Sequence, residues 1–162
     1  MTHNDKKTTP VTLDDIMIRK AQRHDLQTIA RFIGQLFAME SDFEPNEEKQ
    51  YEGMKILFDT PDSHMLVAKY KNSVIGMITM QPLVSSAEGG WVGLIEDVYI
   101  EEGFRHLGLG TTLVNKMKEI AREKGYKRLQ LVADKNNPLA EIFYGKQGFH
   151  KANLTTYHHK NF

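Results

Sequence analysis

Residues 96–113 read E-D-V-Y-I-E-E-G-F-R-H-L-G-L-G-T-T-L. They close a run rich in β-branched and aromatic residues, Trp91 to Ile100. They then pass through a turn holding Arg105, His106, Gly108 and Gly110, and open a segment with Leu109, Leu113, Met117 and Ile120 on one helical face. The N–H groups in the first turn of a helix have no partners within it, and the aligned peptide dipoles favour negative charge there. Glycines 108 and 110 let an anion approach those donors without a Cβ in the way, so the turn suits a phosphate. Taken alone, the string leaves three alternatives open. A Walker-type loop needs Gly-Lys-Ser/Thr, but Thr111 follows Gly110 and no lysine lies in the turn. A dinucleotide fingerprint needs a third glycine where Leu113 stands, although Asp134 sits near the spacing of a ribose-binding acid. A tight strand-to-helix turn without a ligand is the third.

Upstream of this stretch, residues 1–15 are polar, include Pro10, and read as a flexible tail before a single domain spanning 16–162. Ile16 to Ala21 reads as a strand. Leu26, Ile29, Ala30, Ile33 and Leu36 or Phe37 recur at helical spacing, and a second helix is expected from about Glu47 to Phe58. Met65 to Tyr70, Val74 to Pro82 and Trp91 to Ile100 are three β-rich runs with short connections, which predicts an antiparallel meander. Downstream, Arg128 to Ala133 reads as a strand, and Asn137-Pro138 opens a helix that ends near Gly148. The tail from Phe149 is β-prone. A strand, helix, strand crossover through residues 91–133 makes those two strands parallel within an otherwise antiparallel sheet, so the fold class is α+β.

The composition is that of an ordinary globular domain: 162 residues, 40% hydrophobic, with 21 basic and 21 acidic side chains. Zero net charge gives no general pull toward nucleic acid or an anionic membrane. The absence of cysteine removes disulfides, thiolate metal sites and a cysteine nucleophile. No apolar run approaches membrane-spanning length, the N-terminus lacks the apolar core of a signal peptide, and a cytoplasmic protein is expected. The seven histidines show no metal-ligand spacing, and no metal is expected.

Two patterns taken together are specific. E-D-V-Y-I-x-x-x-x-R-x-x-G-x-G, from Glu96 to Gly110, is followed by N-x-x-A-x-x-F-Y-x-x-x-G-F, from Asn137 to Phe149. The combination resembles the GNAT superfamily of N-acetyltransferases over nearly the whole chain after the tail. The resemblance implies a mostly antiparallel central sheet with helices on both faces, acetyl-CoA as cofactor, and a homodimer. It implies that the backbone of Arg105, His106, Leu107, Gly108, Leu109, Gly110 and Thr111 cradles the pyrophosphate. Val98, Tyr99 and Ile100 would pair their main chain with the pantetheine arm, and Asn137, Ala140 and Tyr144 would face the cofactor near its sulfur. Asn137 is equally explained as a helix cap, and the two roles are compatible.

Moving an acetyl group to an amine requires a base, because an alkylammonium has an unperturbed pKa of about 10. Glu96 and Asp97 are adjacent, so strand alternation points them to opposite faces. The family pattern favours Glu96 as base, with the Val98 amide stabilising charge on the thioester oxygen if a bulge splays the strand, and Tyr144 protonating the leaving thiolate. Without cysteine, direct attack in a ternary complex is the simpler route. Glu40 and Asp42, in an acidic stretch between the first two helices, either attract a small cationic amine or form a charged helix boundary. A CoA-binding sensor or scaffold without turnover is the competing function.

Overall fold

The computed structural model describes residues 9–40 and 42–160, so positions 1–8 of the expected tail lie outside it. The chain divides into two compact units, Met1–Val132 and Ala133–Phe162.

The first unit is built on one sheet. Its strands are β1 (Ile16–Lys20), β2 (His64–Tyr70), β3 (Ser73–Ser85), β4 (Gly90–Ile100) and β5 (Leu129–Leu131), and its helices are α1 (Leu26–Phe37), α2 (Glu47–Asp59) and α3 (Leu109–Glu123). The strands lie in sequence order. The first four pair antiparallel, and β5 joins β4 in parallel after the α3 crossover, as the order of elements predicts. Lys71-Asn72 makes the tight β2–β3 turn, with Lys71 at φ 53°. Asn46 starts α2 by accepting the Lys49 N–H at 3.0 Å, and Gly125, at φ 71°, follows the end of α3.

Alternation along the strands divides the core between the two faces of the sheet. Met65, Val67, Met77 and Tyr99 pack with Leu26, Ile29, Phe32 and Ile33 of α1 and Leu57 of α2. Leu66, Ala68 and Ile78 point the other way and are also buried, on the side where α3 packs Leu109, Leu113, Val114 and Met117 against β3 and β4. Phe32 had no place in the predicted α1 stripe, yet it is fully buried and stacks on Tyr99 at 4.8 Å. The Tyr99 hydroxyl donates to Gln35 Oε1 at 2.7 Å, which ties α1 to β4 by a second contact.

In the second unit, Asn137 accepts the Ala140 N–H at 3.1 Å and Pro138 opens α4 (Pro138–Lys146), as its capping sequence predicts. The expected strand from Phe149 does not form among the described residues. A strand needs a ladder for its backbone groups, and the described part of this tail joins no sheet; Leu154 and Tyr157 are 91% and 90% exposed. The strand predicted from Arg128 to Ala133 is likewise shorter, because only residues 129–131 meet β4 and Val132 is 67% exposed. No helix among the described residues is long and apolar enough to cross a membrane.

Asp25 is 3% exposed and charged. Burial pushes its carboxyl up, but the Arg19 guanidinium, bonded at 2.6 and 3.0 Å, and the Gln22 N–H at 2.7 Å outweigh that and hold it below the usual carboxylate range. Arg19→Met strands the buried charge and is expected to cost about 3–5 kcal/mol at pH 7. A group with a depressed folded pKa stabilises above its unfolded value and loses that contribution as pH falls through the folded one. Urea midpoints of the two proteins should therefore converge on going from pH 7 to pH 3. An equal gap at both pH values would contradict the assignment.

Candidate active site

The turn after β4 joins two left-handed residues to the start of a helix. A short 3-10 turn at residues 102–104 leads into His106 at φ 64° and Gly108 at φ 84°, two left-handed positions separated by one residue. Such alternation points successive N–H groups into one concavity. Whereas α2 and α4 are capped by asparagine side chains, α3 begins on Gly108 and has no capping side chain. Its first-turn N–H groups thus face the same hollow. Arg105 and His106 are exposed, and Arg105 Nε donates to the Ile100 carbonyl at 2.9 Å while its guanidinium lies 5.7 Å from the Tyr99 ring. The side chain of Leu109 is core, so only its backbone can serve the turn. A Cβ placed on Gly108 would meet Leu13 Cδ1 at 3.5 Å, an ordinary contact. The demand for glycine there comes from the positive φ. Leu13 belongs to a 3-10 turn closed by Thr12 and Asp15, whose carboxylate accepts the Thr12 N–H at 2.9 Å.

Beside the turn, one edge of β4 is open. β5 pairs with Gly93, Leu94 and Ile95, and beyond Ile95 that edge has no strand partner among the described residues. Val98, Tyr99 and Ile100 lie on this stretch. An extended chain carrying amides can add there as a further strand, ending its run at the anion turn. The fit to a coenzyme with a diphosphate and an amide-bearing arm is therefore good, and it requires no enclosed cavity. Cavities of about 300 and 330 Å³ open elsewhere, the first between Thr28, Arg31 and Lys69 and the second between Lys20, His64 and Lys124.

On its other side β4 bulges. Ile78 stands opposite Val98, but Met80 stands opposite Ile95, so Thr79 alone faces Glu96 and Asp97. The two acids take opposite sides: Glu96 is exposed and Asp97 is 5% exposed. Thr79 Oγ1 accepts the Asp97 N–H at 3.2 Å and lies 3.5 Å from Asp97 Oδ2. Burial first, then the charges of Glu96 and Glu40, push the Asp97 carboxyl up to about 7 against the opposing effect of Thr79. Glu40 is thereby in electrostatic reach of β4, while Asp42 is exposed. Sequence reasoning set Asp97 on the face opposite Glu96 without giving it a role, and it missed Thr79. The adjacent acid pair was the available signal; the hydroxyl opposite it becomes visible only with the register.

Asn137, Ala140 and Tyr144 lie in the second unit. Asn137 is exposed and caps α4, Ala140 supplies the capped N–H, and Tyr144 is half-buried with its ring 5.0 Å from Phe143 and 6.0 Å from Phe149. No group of three or more histidines, aspartates or glutamates among the described residues could hold a metal ion.

Residues 32–149 match the model of the acetyltransferase (GNAT) family. The chain is 25% identical over 135 residues to the uncharacterized N-acetyltransferase YhfO of Bacillus subtilis, covering 82% of this chain and 88% of that one. It is 28% identical over 139 residues to the thialysine N-epsilon-acetyltransferase of Bos taurus, covering 79% and 81%. The crystal structure of "a possible acetyltransferase from Clostridium difficile 630" superposes with a TM-score of 0.79 at 24% identity, over 91% of this chain and 98% of that one.

A carboxyl whose folded pKa is raised contributes its full stability below the unfolded value and loses it as pH rises through the folded one. Asp97, ordinarily near 3.8 and here about 7, should therefore favour the fold near pH 4 and oppose it at pH 8. Asp97→Asn, which cannot ionise, is expected to be more stable than the parent at pH 8 by on the order of 2–4 kcal/mol. That gain should shrink toward pH 5 when measured by denaturant titration. A variant no more stable at pH 8 than at pH 5, relative to the parent, would show that Asp97 ionises normally.

Proposed function

The chain belongs to the acetyltransferase (GNAT) family, and from that premise we propose that it transfers an acetyl group from acetyl-CoA to the primary amine of a small cationic acceptor, with both bound at once. The observation that carries this reading is the continuity of the open β4 edge with an uncapped, left-handed turn. Bound acetyl-CoA supplies the acetyl group as an activated thioester.

Everything else falls to the chain. The turn from Arg105 to Thr111 holds the diphosphate through backbone N–H groups and the dipole of α3. The main chain of Val98 to Ile100 orients the arm, and fixing it there removes much of the entropic cost of reaction. Glu96, exposed at the bulge, accepts the proton that the ammonium must lose before its nitrogen can attack. The Val98 amide, directly after the bulge, donates to the oxygen on which negative charge builds. Tyr144 enters the proposal through its motif alone, as proton donor to the departing thiolate.

The acids support a cationic acceptor. Burial first, and then the charges of Glu96 and Glu40, raise the proton affinity of Asp97, and two acids gathered beside it make a field of the sign that concentrates cations. The Bos taurus relative is named for acetylating an Nε amine, which is consistent with a small amine. A homodimer and a cytoplasmic location complete the proposal.

The test is thiol release from acetyl-CoA with a panel of diamines, aminoglycosides and amino acids. Acceptor-dependent release is expected with cationic amines, and saturable CoA binding without release from any amine would return the protein to a sensor role. Glu96→Gln should lower kcat about 10²- to 10⁴-fold with little change in acetyl-CoA affinity. Gly108→Val should instead weaken that affinity at least about tenfold, because a β-branched residue resists φ near 84°. Calorimetry distinguishes the two, and wild-type affinity in Gly108→Val would remove the turn from cofactor binding. Tyr144→Phe should slow transfer more than it weakens binding, and equal turnover would remove Tyr144 from the mechanism.

A further inference from the structure

The transfer scheme leaves two buried polar residues of the bulge without a role. Thr79 is fully buried and Asp97 nearly so, each on the strand pair that carries Glu96. In a regular ladder the Asp97 N–H would meet a carbonyl of β3 or point to the other edge. Here β4 has one residue too many opposite Thr79, and the Thr79 hydroxyl takes the N–H instead, at 3.2 Å. The charged groups that face Asp97 are Glu96 from its own strand and Glu40 from the segment after α1, both acids. Neither acid draws the Asp97 side chain inward, and the Thr79 hydroxyl, which takes the Asp97 N–H and lies 3.5 Å from Asp97 Oδ2, anchors the bulge on this side.

We infer that Thr79 is a positioning residue for acetyl transfer: its hydroxyl substitutes for the missing ladder partner, fixes the bulge of β4, and so holds Glu96 outward and Asp97 inward. The inference rests on the assignment of Glu96 as proton acceptor. A one-residue slip of a strand exchanges its two faces, so closing the bulge would turn Glu96 away and aim Asp97 in its place. Without the hydroxyl, the buried N–H has no partner and the bulged register loses its advantage over slipped or frayed alternatives. Thr79 touches no reacting atom, and its effect passes through the orientation of the neighbouring strand.

Thr79→Val keeps the shape and removes the hydroxyl; Thr79→Ser keeps the hydroxyl. With an amine that the wild-type protein acetylates, Thr79→Val is expected to lower kcat about tenfold or more while calorimetric acetyl-CoA affinity stays within about twofold. Thr79→Ser is expected to return kcat to within about threefold of wild type. Wild-type kcat in Thr79→Val, an equal loss in Thr79→Ser, or a parallel loss of acetyl-CoA affinity would each overturn the inference. Should Thr79→Val yield no folded protein, Thr79→Ala takes its place with the same split expected. Amide hydrogen exchange at Asp97 in the ligand-free protein is the readout that does not depend on activity. Protection lost in Thr79→Val or Thr79→Ala and kept in Thr79→Ser supports the pair, whereas unchanged protection in all variants overturns it. If the wild-type protein acetylates no amine, the transferase reading fails by itself and hydrogen exchange still judges the pair.

Discussion

One surplus residue in β4 sets the two neighbouring acids of this strand apart. Across most of the β3–β4 ladder residues pair one to one, and at Thr79 two face one. Packing cannot easily expel the extra residue, because both sides of the sheet are already covered: α1 presses on Tyr99 and Met77, and α3 covers the face of Ile78. The bulge must then be satisfied where it lies. Thr79 does so from within the sheet, and the consequence is an asymmetric pair of acids, one wet and one dry. Burial first, and the acid beside it second, let the inward carboxyl keep a proton into the neutral range. Adjacent acids in one sequence thus acquire different chemistry from geometry alone.

The opposite edge of the same strand depends on where pairing stops. β5 is three residues long and leaves β4 after Ile95, so the edge is exposed over the stretch that precedes the turn. Exposed edges ordinarily invite association with other chains, and natural sheets keep them short or covered. Here the open length is short and flows into a turn with an uncapped helix start, a combination suited to a ligand that is part peptide-like and part anionic. The match to the acetyltransferase (GNAT) family accords with that geometry, and relatives at 25% and 28% identity align with this chain over 88% and 81% of their lengths.

Much of this was legible in the sequence because it was local. Helical spacing located α1 and α3, flanking residues bounded α2, glycine and asparagine positions marked the turns, and the Asn137-Pro138 pair gave the start of α4. The arginine and glycine spacing after β4 pointed to an anion turn, and His106 at positive φ adds to it a left-handed residue that composition does not announce. What escaped was relational. Phe32 falls off the expected stripe of α1 but meets a ring that only the sheet brings beneath it. Thr79 looks like any polar residue within an apolar strand until register sets it against two residues. The tail from Phe149 has strand propensity, but no strand forms there among the described residues, since propensity alone supplies no ladder.

Leu13 has a consequence out of proportion to its place near the start of the chain. Its methyl group rests against Gly108, so the underside of the anion turn is supported by a residue more than ninety positions earlier, held in a small turn by Thr12 and Asp15. Purified samples differing only ahead of Ile16, through clipping by a protease or an appended affinity peptide, would therefore not be interchangeable in ligand titrations. Residues 12–15 belong to the support of this turn, and their integrity belongs among the first properties to verify by mass spectrometry.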